Sequence, residues 1–493
     1  MTDAFLKSNF ADDVLKMALA PTFTQVAGIL VIPLITRLYS PETFGLVALF
    51  YSIAAPLEAF TTMGFCTSIM LPARDEEGAT MFAVSIFSAL FAGLLTTLVI
   101  MIGQTAIKYW LKIPELKPYL WLVPISVCLS GIYMSLRYWS MRNRRFDHVA
   151  VGQASRYLTD NGFVLSAGIL GRPTVFSLIL GGMVGGLANS FVLAQHIFRD
   201  QGRLFGRNCQ WPAILLGIKR YWKFPAFNIW NDLISRFAGQ IPIYLLSYYF
   251  SQSIVGFYSL GLRLLNMPLS LIGTSIGEVY FQRAVQNISD NTLVTKLFER
   301  LVSFGILPFL LLAFVGEDLF IIALGTKWSE AGVYAQILSF CIFVRFITTP
   351  AGYLAIIYEK QEISFLVRVL ETLISISSIL MGGLYGDAHI SFFLLSGFTG
   401  LLFAVYGFWF MNRAWLSLSN GLRIVSHFLL IASPLLLVVS LAKWYFDLSH
   451  YLIILVSCVG SLPYYAFVLR HDEKTRLIII ELLQRINLLG VKS

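Results

Sequence analysis

The sequence predicts an all-α polytopic membrane protein of about 14 transmembrane helices, in two six-helix lobes followed by two C-terminal helices. Three observations predict it. Apolar stretches of roughly 20 residues, the length that crosses a hydrocarbon core, follow one another from Asp12 to His471 with short polar links between them. Of 493 residues, 57% are hydrophobic and 13% charged, against roughly 25% charged in soluble domains. The runs are continuous, not alternating, so helices and not a β-barrel satisfy the backbone in lipid.

In order, the spans fall at roughly 14–36, 43–66, 80–105, 119–141, 149–170, 174–197, 224–249, 253–280, 300–318, 333–357, 364–385, 389–412, 424–443 and 449–470. Met1–Lys16 carries Asp3, Asp12 and Asp13 in place of a basic start. It is expected to be no cleavable signal, which makes the first span a retained helix. The expected organisation is an N-lobe at 1–197, a basic cytoplasmic linker at 198–223 and a C-lobe at 224–412. The last two helices occupy 413–470, and an amphipathic tail at 471–493 lies on the cytoplasmic membrane surface. Met1–Lys16 is a second candidate surface helix.

The net charge of +9 is an orientation signal. With the N-terminus in the cytoplasm, 23 of the 36 basic residues fall on the cytoplasmic side and 7 on the other. The positive-inside rule then places both termini in the cytoplasm and removes the reason to invoke nucleic acid. The five cysteines (Cys66, Cys128, Cys209, Cys341, Cys458) form no C-x-x-C pair and no zinc framework.

A weak internal repeat links the halves. Ser40-Pro41-Glu42-Thr43-Phe44-Gly45 follows the first span, and Ser251-Gln252-Ser253-Ile254-Val255-Gly256 follows the seventh. Ser40 pairs with Ser251 and Gly45 with Gly256 at one offset. Six helices separate the copies, so both run the same way through the membrane. The lobes are then related by an axis along the membrane normal, around a central cavity. Gly181-Gly182 and Gly185-Gly186 in span six predict a close helix contact.

Ionisable residues inside spans are costly and mark cavities or pathways. They are Glu58, Arg137, Arg156, Asp160, Asp232, Arg236, Arg263, Glu278, Arg345, Arg368 and Glu371. Arg156 with Asp160, Asp232 with Arg236, and Arg368 with Glu371 are spaced to neutralise each other on one helix face. Arg137 and Glu278 lie close enough to span ends to reach the interface. A guanidinium stays charged and grips two phosphate oxygens at once, so a cavity of arginines suits a phosphate-bearing anion. The candidate cavity cations are Arg236, Arg263, Arg345, Arg156 and Arg37. The candidate coupling or cavity acids are Glu58, Asp232 and Asp160. Glu58 has no sequence-local partner, and proton carriage, cation binding or a neutral hydrogen-bonded state all fit it.

Other chemistry is missing from the sequence. It has no G-x-x-x-x-G-K-[ST], H-E-x-x-H or G-x-S-x-G motif and no clustered His/Cys set. No catalytic residue, resident metal or cofactor is expected, and the chain reads as a transporter, not an enzyme.

Several stretches resemble the polysaccharide (O-antigen, Wzx-type) flippases of the multidrug/oligosaccharidyl-lipid/polysaccharide exporter superfamily. They are Thr36-Arg37-Leu38-Tyr39-Ser40-Pro41-Glu42-Thr43-Phe44-Gly45-Leu46, Met141-Arg142-Asn143-Arg144-Arg145-Phe146, Tyr221-Trp222-Lys223-Phe224-Pro225, Val255-Gly256-Phe257-Tyr258-Ser259 and Leu324-Gly325-Thr326-Lys327-Trp328-Ser329-Glu330. The resemblance runs from residue 14 to about 370 and leaves the last two spans without a match. It implies a bacterial inner-membrane protein that moves an undecaprenyl-diphosphate-linked oligosaccharide to the periplasmic leaflet by alternating access. It also implies coupling to an ion, H+ or Na+, and work alongside a polysaccharide polymerase and a chain-length regulator. A peptidoglycan-precursor flippase, a drug/cation antiporter, a polysaccharide polymerase and a transport-dead scaffold stay open as alternatives.

Overall fold

The computed structural model describes residues 24–25, 27–111, 114–208, 211–269, 293–414 and 416–471. The expected surface helices at Met1–Lys16 and in the tail 472–493, together with Glu278 and Cys209, lie outside them. Among the described residues there is helix and no strand. Among the described residues, ten segments are long and apolar enough to cross a membrane. The helices at Phe146–Ile169 and Ile229–Tyr249 are not among those ten. They carry Gln153, Arg156, Asp160 and Asn161, and Asn231, Asp232, Arg236 and Gln240, which lower their hydropathy. The charges that point to function therefore also weaken the spanning signal.

The chain divides into two compact units, 1–260 and 261–493. The first contains α1 (Ala27–Leu38), α2 (Pro41–Leu57), α3 (Asp75–Leu111), α4 (Val123–Arg142), α5 (Phe146–Ile169), α6 (Val175–Asn208), α7 (Trp211–Arg220), α8 (Ile229–Tyr249) and the first half of α9 (Gln252–Pro268). Ser40 caps α2, accepting from the Thr43 amide at 3.4 Å, and Pro41 takes the first turn, where its missing N–H costs nothing. Pro56 closes the same helix, and Glu58 opens a short 3-10 turn, Glu58–Phe60.

The α5–α6 contact is built by glycine. A Cβ at Gly181 or Gly185 would collide with Asp160, and Gly185 also abuts the Arg156 carbonyl. The core of this unit gathers Phe82, Trp139, Leu193 and Ile197, and Ile214 of α7 joins them. The basic segment 198–223 is thus mostly helical, continuing α6 and then forming α7. Gly217 of α7 seats on Met81, and Arg220 pairs with Glu77 at 3.0 Å.

The second unit contains α10 (Leu293–Leu324), α11 (Ser329–Ile347), α12 (Thr349–Ile357), α13 (Gln361–Tyr385), α14 (Ala388–Arg413), α15 (Leu418–Trp444) and α16 (His450–His471). Helix α10 contains Pro308 and kinks at Val315, where φ is −120°. Pro308 removes one ladder hydrogen bond in the turn before it, and Val315 breaks the regular helix two turns further on. Val315 then packs on Val439 and Ile453, which draws α15 and α16 onto α10.

Candidate functional site

In the first unit, the Glu58 turn faces α8. Arg236 Nη1 donates to Glu58 Oε2 at 3.1 Å, with the side chains 36% and 24% exposed. The charge of Arg156, on α5, also acts on Glu58. Two turns along the same helix pair, the Tyr244 hydroxyl donates to the Ser52 carbonyl at 2.6 Å. This bond fixes α8 against α2 and so fixes Arg236 over Glu58. Three of the sequence-predicted residues, Glu58, Arg236 and Arg156, therefore share one electrostatic site.

The expected same-helix pairing of Asp232 with Arg236 gives way to this longer-range pair. A carboxylate on a neighbouring helix end meets the guanidinium fork more directly than one a turn away along the same surface. Asp232 is exposed, and its charge acts on Cys66 and Tyr138. Asp160 lies against the α6 glycines. Arg37, at the end of α1, and Arg263, on α9, are both exposed, and the structure gives neither a place in the Glu58 cluster.

In the second unit, Arg345 Nη1 donates to Glu371 Oε1 at 3.3 Å, with exposures of 37% and 21%. Its guanidinium lies 5.0 Å from the centre of the Phe403 ring, a cation–π distance. Glu371 is thereby taken from Arg368, its expected partner three residues earlier. Arg368 stays exposed and acts on Tyr406, whose hydroxyl bonds Ser364 at 2.9 Å. Each unit thus holds a partly exposed arginine anchored by one carboxylate from another element. An anchored guanidinium keeps N–H donors free for an anion.

A third charged cluster escaped the sequence reading. Asp318, 2% exposed, accepts from Lys443 Nζ at 2.6 Å, and its other oxygen contacts His450 Nδ1 at 2.5 Å. Lys443 also reaches the Phe314 carbonyl at 3.3 Å. Three charges near the ends of three spans were the only signal, and the pairings cross 125 and 132 residues. A separate apolar groove of about 700 Å³ runs between α15 and α16, lined by Pro434, Leu435, Val459, Gly460 and Pro463 among others. Among the described residues, no group of three or more His, Cys, Asp or Glu is placed to hold a metal ion.

Comparison with known proteins adds a family, two curated relatives and two solved structures. The family model described as "Polysaccharide biosynthesis protein" matches residues 34–333. Among curated proteins, the chain is 21% identical to the lipopolysaccharide biosynthesis protein WzxC of Escherichia coli (strain K12), over 74% of this chain and 73% of that one. It is 23% identical to the teichuronic acid biosynthesis protein TuaB of Bacillus subtilis (strain 168), over 31% of this chain and 32% of that protein's length. Among solved structures, the lipid II flippase MurJ in an inward closed conformation superposes with a TM-score of 0.68 at 14% identity, covering 92% of this chain and 99% of that one. An inward-facing multidrug resistance MATE family transporter of the MOP superfamily gives 0.54 at 15% identity, over 80% of this chain and 98% of the other. The fold is shared with these transporters.

Proposed function

We propose, since the chain belongs to the polysaccharide biosynthesis protein family, that it flips lipid-linked oligosaccharide repeat units across a bacterial inner membrane. The substrate is an undecaprenyl-diphosphate-linked glycan, moved from the cytoplasmic to the periplasmic leaflet by alternating access. The observation that carries this reading is the pair of anchored arginines, Arg236 on Glu58 and Arg345 on Glu371, one in each helical unit.

A charged headgroup cannot enter hydrocarbon without a large desolvation cost, while its polyprenyl tail can remain in lipid. A guanidinium offers two parallel N–H donors to a diphosphate. The carboxylate beside it holds it in place when the path is empty and yields a donor to phosphate when substrate arrives. Glu58 and Glu371 then serve as counter-ions that exchange with the substrate anion, and coupling to H+ or Na+ follows where one of them is neutralised during the cycle. Transfer in this scheme makes and breaks no covalent bond in the substrate. A polymerase and a chain-length regulator would take the product on the far leaflet.

A second reading, a peptidoglycan-precursor flippase, is favoured by the 0.68 superposition on MurJ. One experiment separates the two. In a host lacking this gene, with a copy under inducible control, lipid-linked glycan is labelled with a membrane-impermeant reagent on spheroplasts before and after lysis. Accumulation of an oligosaccharide on the inner leaflet, cleared on induction, supports the first reading. Accumulation of the peptidoglycan precursor supports the second. Glycan that reaches the outer leaflet without this gene overturns both.

A further inference from the structure

Helix α7 runs antiparallel to the opening turns of α3. Trp211, at its start, meets the Phe87 ring at 5.4 Å. Gly217 seats on Met81, and Arg220, at its end, pairs with Glu77 at 3.0 Å. Ile214 fills the inner face and is 3% exposed. A second face is open. Trp211, Leu215, Ile218 and Trp222 recur at helical spacing and are 65%, 62%, 39% and 53% exposed. Lys219 and Lys223, one turn apart, flank this apolar stripe, and both are exposed.

The stripe continues a lipid-facing surface. Phe87, on which Trp211 stacks, opens an exposed row of α3 that goes on through Phe91, Leu94 and Leu98, and α3 is one of the spans. The acidic first turn of α3 marks where that span leaves hydrocarbon. Arg220 meets it there, so α7 lies at the level where acyl chains give way to headgroups. Indole rings settle at that boundary, and lysine stems carry their ammonium groups out to phosphate.

Positive charge is in excess at this place. In the first turn of α3, Asp75 accepts from Arg142 at 3.1 Å and Glu77 from Arg220 at 3.0 Å. That leaves Glu76 as the remaining acid of the turn against two lysines. Among the described residues, neither Lys219 nor Lys223 has a carboxylate within ion-pair distance. The whole segment 198–223 holds six basic residues and one acid, Asp200.

We propose that α7 with Tyr221–Lys223 is a binding site for anionic phospholipid, in the leaflet on the side rich in basic residues. The stripe enters the acyl boundary, and Lys219 and Lys223 take the lipid phosphate. A zwitterionic headgroup carries its own cation and gains less from the two lysines. The site is a property of this face and stands whatever the transport path carries.

The test uses the full chain with its native cysteines replaced and a bimane dye on Leu215→Cys, reconstituted in phosphatidylcholine vesicles. Nitroxide-labelled phosphatidylglycerol, or the same fraction of nitroxide-labelled phosphatidylcholine, is the quencher. Each lysine is expected to favour the anionic quencher about fivefold, and raising the salt should shrink that preference. Lys219→Gln with Lys223→Gln should bring the two quenchers level. The dye at Leu98→Cys, on the lipid-facing row of α3 toward its other end, should show no preference. Equal quenching by both lipids at Leu215→Cys, or the same preference at Leu98→Cys, reduces the face to ordinary lipid contact and overturns the site. Quenching by neither lipid puts α7 under protein and overturns it as well. A preference that survives the double substitution removes the lysines, and the proposal with them. Should the double variant fail to insert, the salt series on the unmodified lysines decides, and a preference that salt leaves unchanged overturns the proposal.

Discussion

Arg236 closes on Glu58 across 178 residues of sequence, guanidinium nitrogen to carboxylate oxygen at 3.1 Å. The pair ties the end of α2 to α8 and is only partly withdrawn from solvent, so its direct contribution to stability is modest. A double-mutant cycle over Glu58→Gln and Arg236→Gln, read by thermal unfolding in detergent, is expected to give a coupling of about 0.5–1 kcal/mol. Function should respond more strongly. Arg236→Lys keeps the charge and loses the fork, and leaflet transfer should fall about tenfold, the equivalent of one charge-assisted hydrogen bond. Unchanged transfer in Arg236→Ala, with normal membrane insertion, would remove Arg236 from the substrate path.

Gly45 of α2 and Gly256 of α9 face each other, a Cβ on the first meeting the Gln252 carbonyl and one on the second the Pro41 carbonyl, and they predict a symmetric cost. Gly45→Ala and Gly256→Ala each force a methyl against a backbone carbonyl that cannot swing aside. Each should destabilise by about 1–3 kcal/mol, as overpacking does. The double variant should cost less than the sum, because both methyls push apart one contact. Gly186→Ala, where a Cβ meets nothing within 4 Å, is the control. There the better helix propensity of alanine should leave stability equal or raised. Melting temperatures of the four proteins in one detergent check the pattern.

Much of this arrangement was legible in the sequence. Apolar run length marked the helices, because crossing lipid imposes a length and a composition that few other constraints imitate. The repeat around Ser40 and Ser251 was visible as a short pattern, and the structure turns it into a pair of matching caps, Thr43 N–H on Ser40 Oγ and Ile254 N–H on Ser251 Oγ, each at 3.4 Å. The glycines of span six announced the close α5–α6 contact, since no other residue lets backbones approach that far. The ion pairs were not legible. Spacing of three or four residues favoured Asp232–Arg236 and Arg368–Glu371, yet Arg236 and Glu371 each found a partner on another helix. Local spacing states which groups share a face, whereas pairing depends on which helices pack, and that is decided by apolar surface elsewhere. Asp318 shows the same limit, with both of its partners more than a hundred residues away.

Asp318 is the most buried carboxylate of the second unit's charged clusters, and its neutralisation rests chiefly on Lys443. Lys443→Met should therefore strand a charge and destabilise by about 3–5 kcal/mol, the range for breaking a buried pair. His450, on the other carboxylate oxygen, should hold the loss near the lower end. Adding Asp318→Asn to Lys443→Met removes the stranded charge and should recover most of it. A double variant no more stable than Lys443→Met would show that the lysine acts through its stem or the Phe314 carbonyl, and not through the carboxylate.

Arg345 offers the sharpest separation between anchoring and substrate contact. It has two neighbours with different chemistry, the Glu371 carboxylate and the Phe403 ring. Phe403→Leu keeps apolar volume and removes the quadrupole, which should loosen the guanidinium by about 0.5–1 kcal/mol at this exposure. Glu371→Gln keeps a hydrogen-bond acceptor and removes the counter-charge. If Arg345 binds the headgroup, Glu371→Gln leaves a more available cation, and glycan binding measured in detergent should tighten, while turnover in liposomes slows because release is harder. Phe403→Leu should weaken binding and slow turnover together. If Arg345 only braces α11 against α13, both substitutions should lower the melting temperature and leave glycan affinity unchanged. Affinity and stability therefore move in different combinations under the two roles, and Glu371→Gln decides between them.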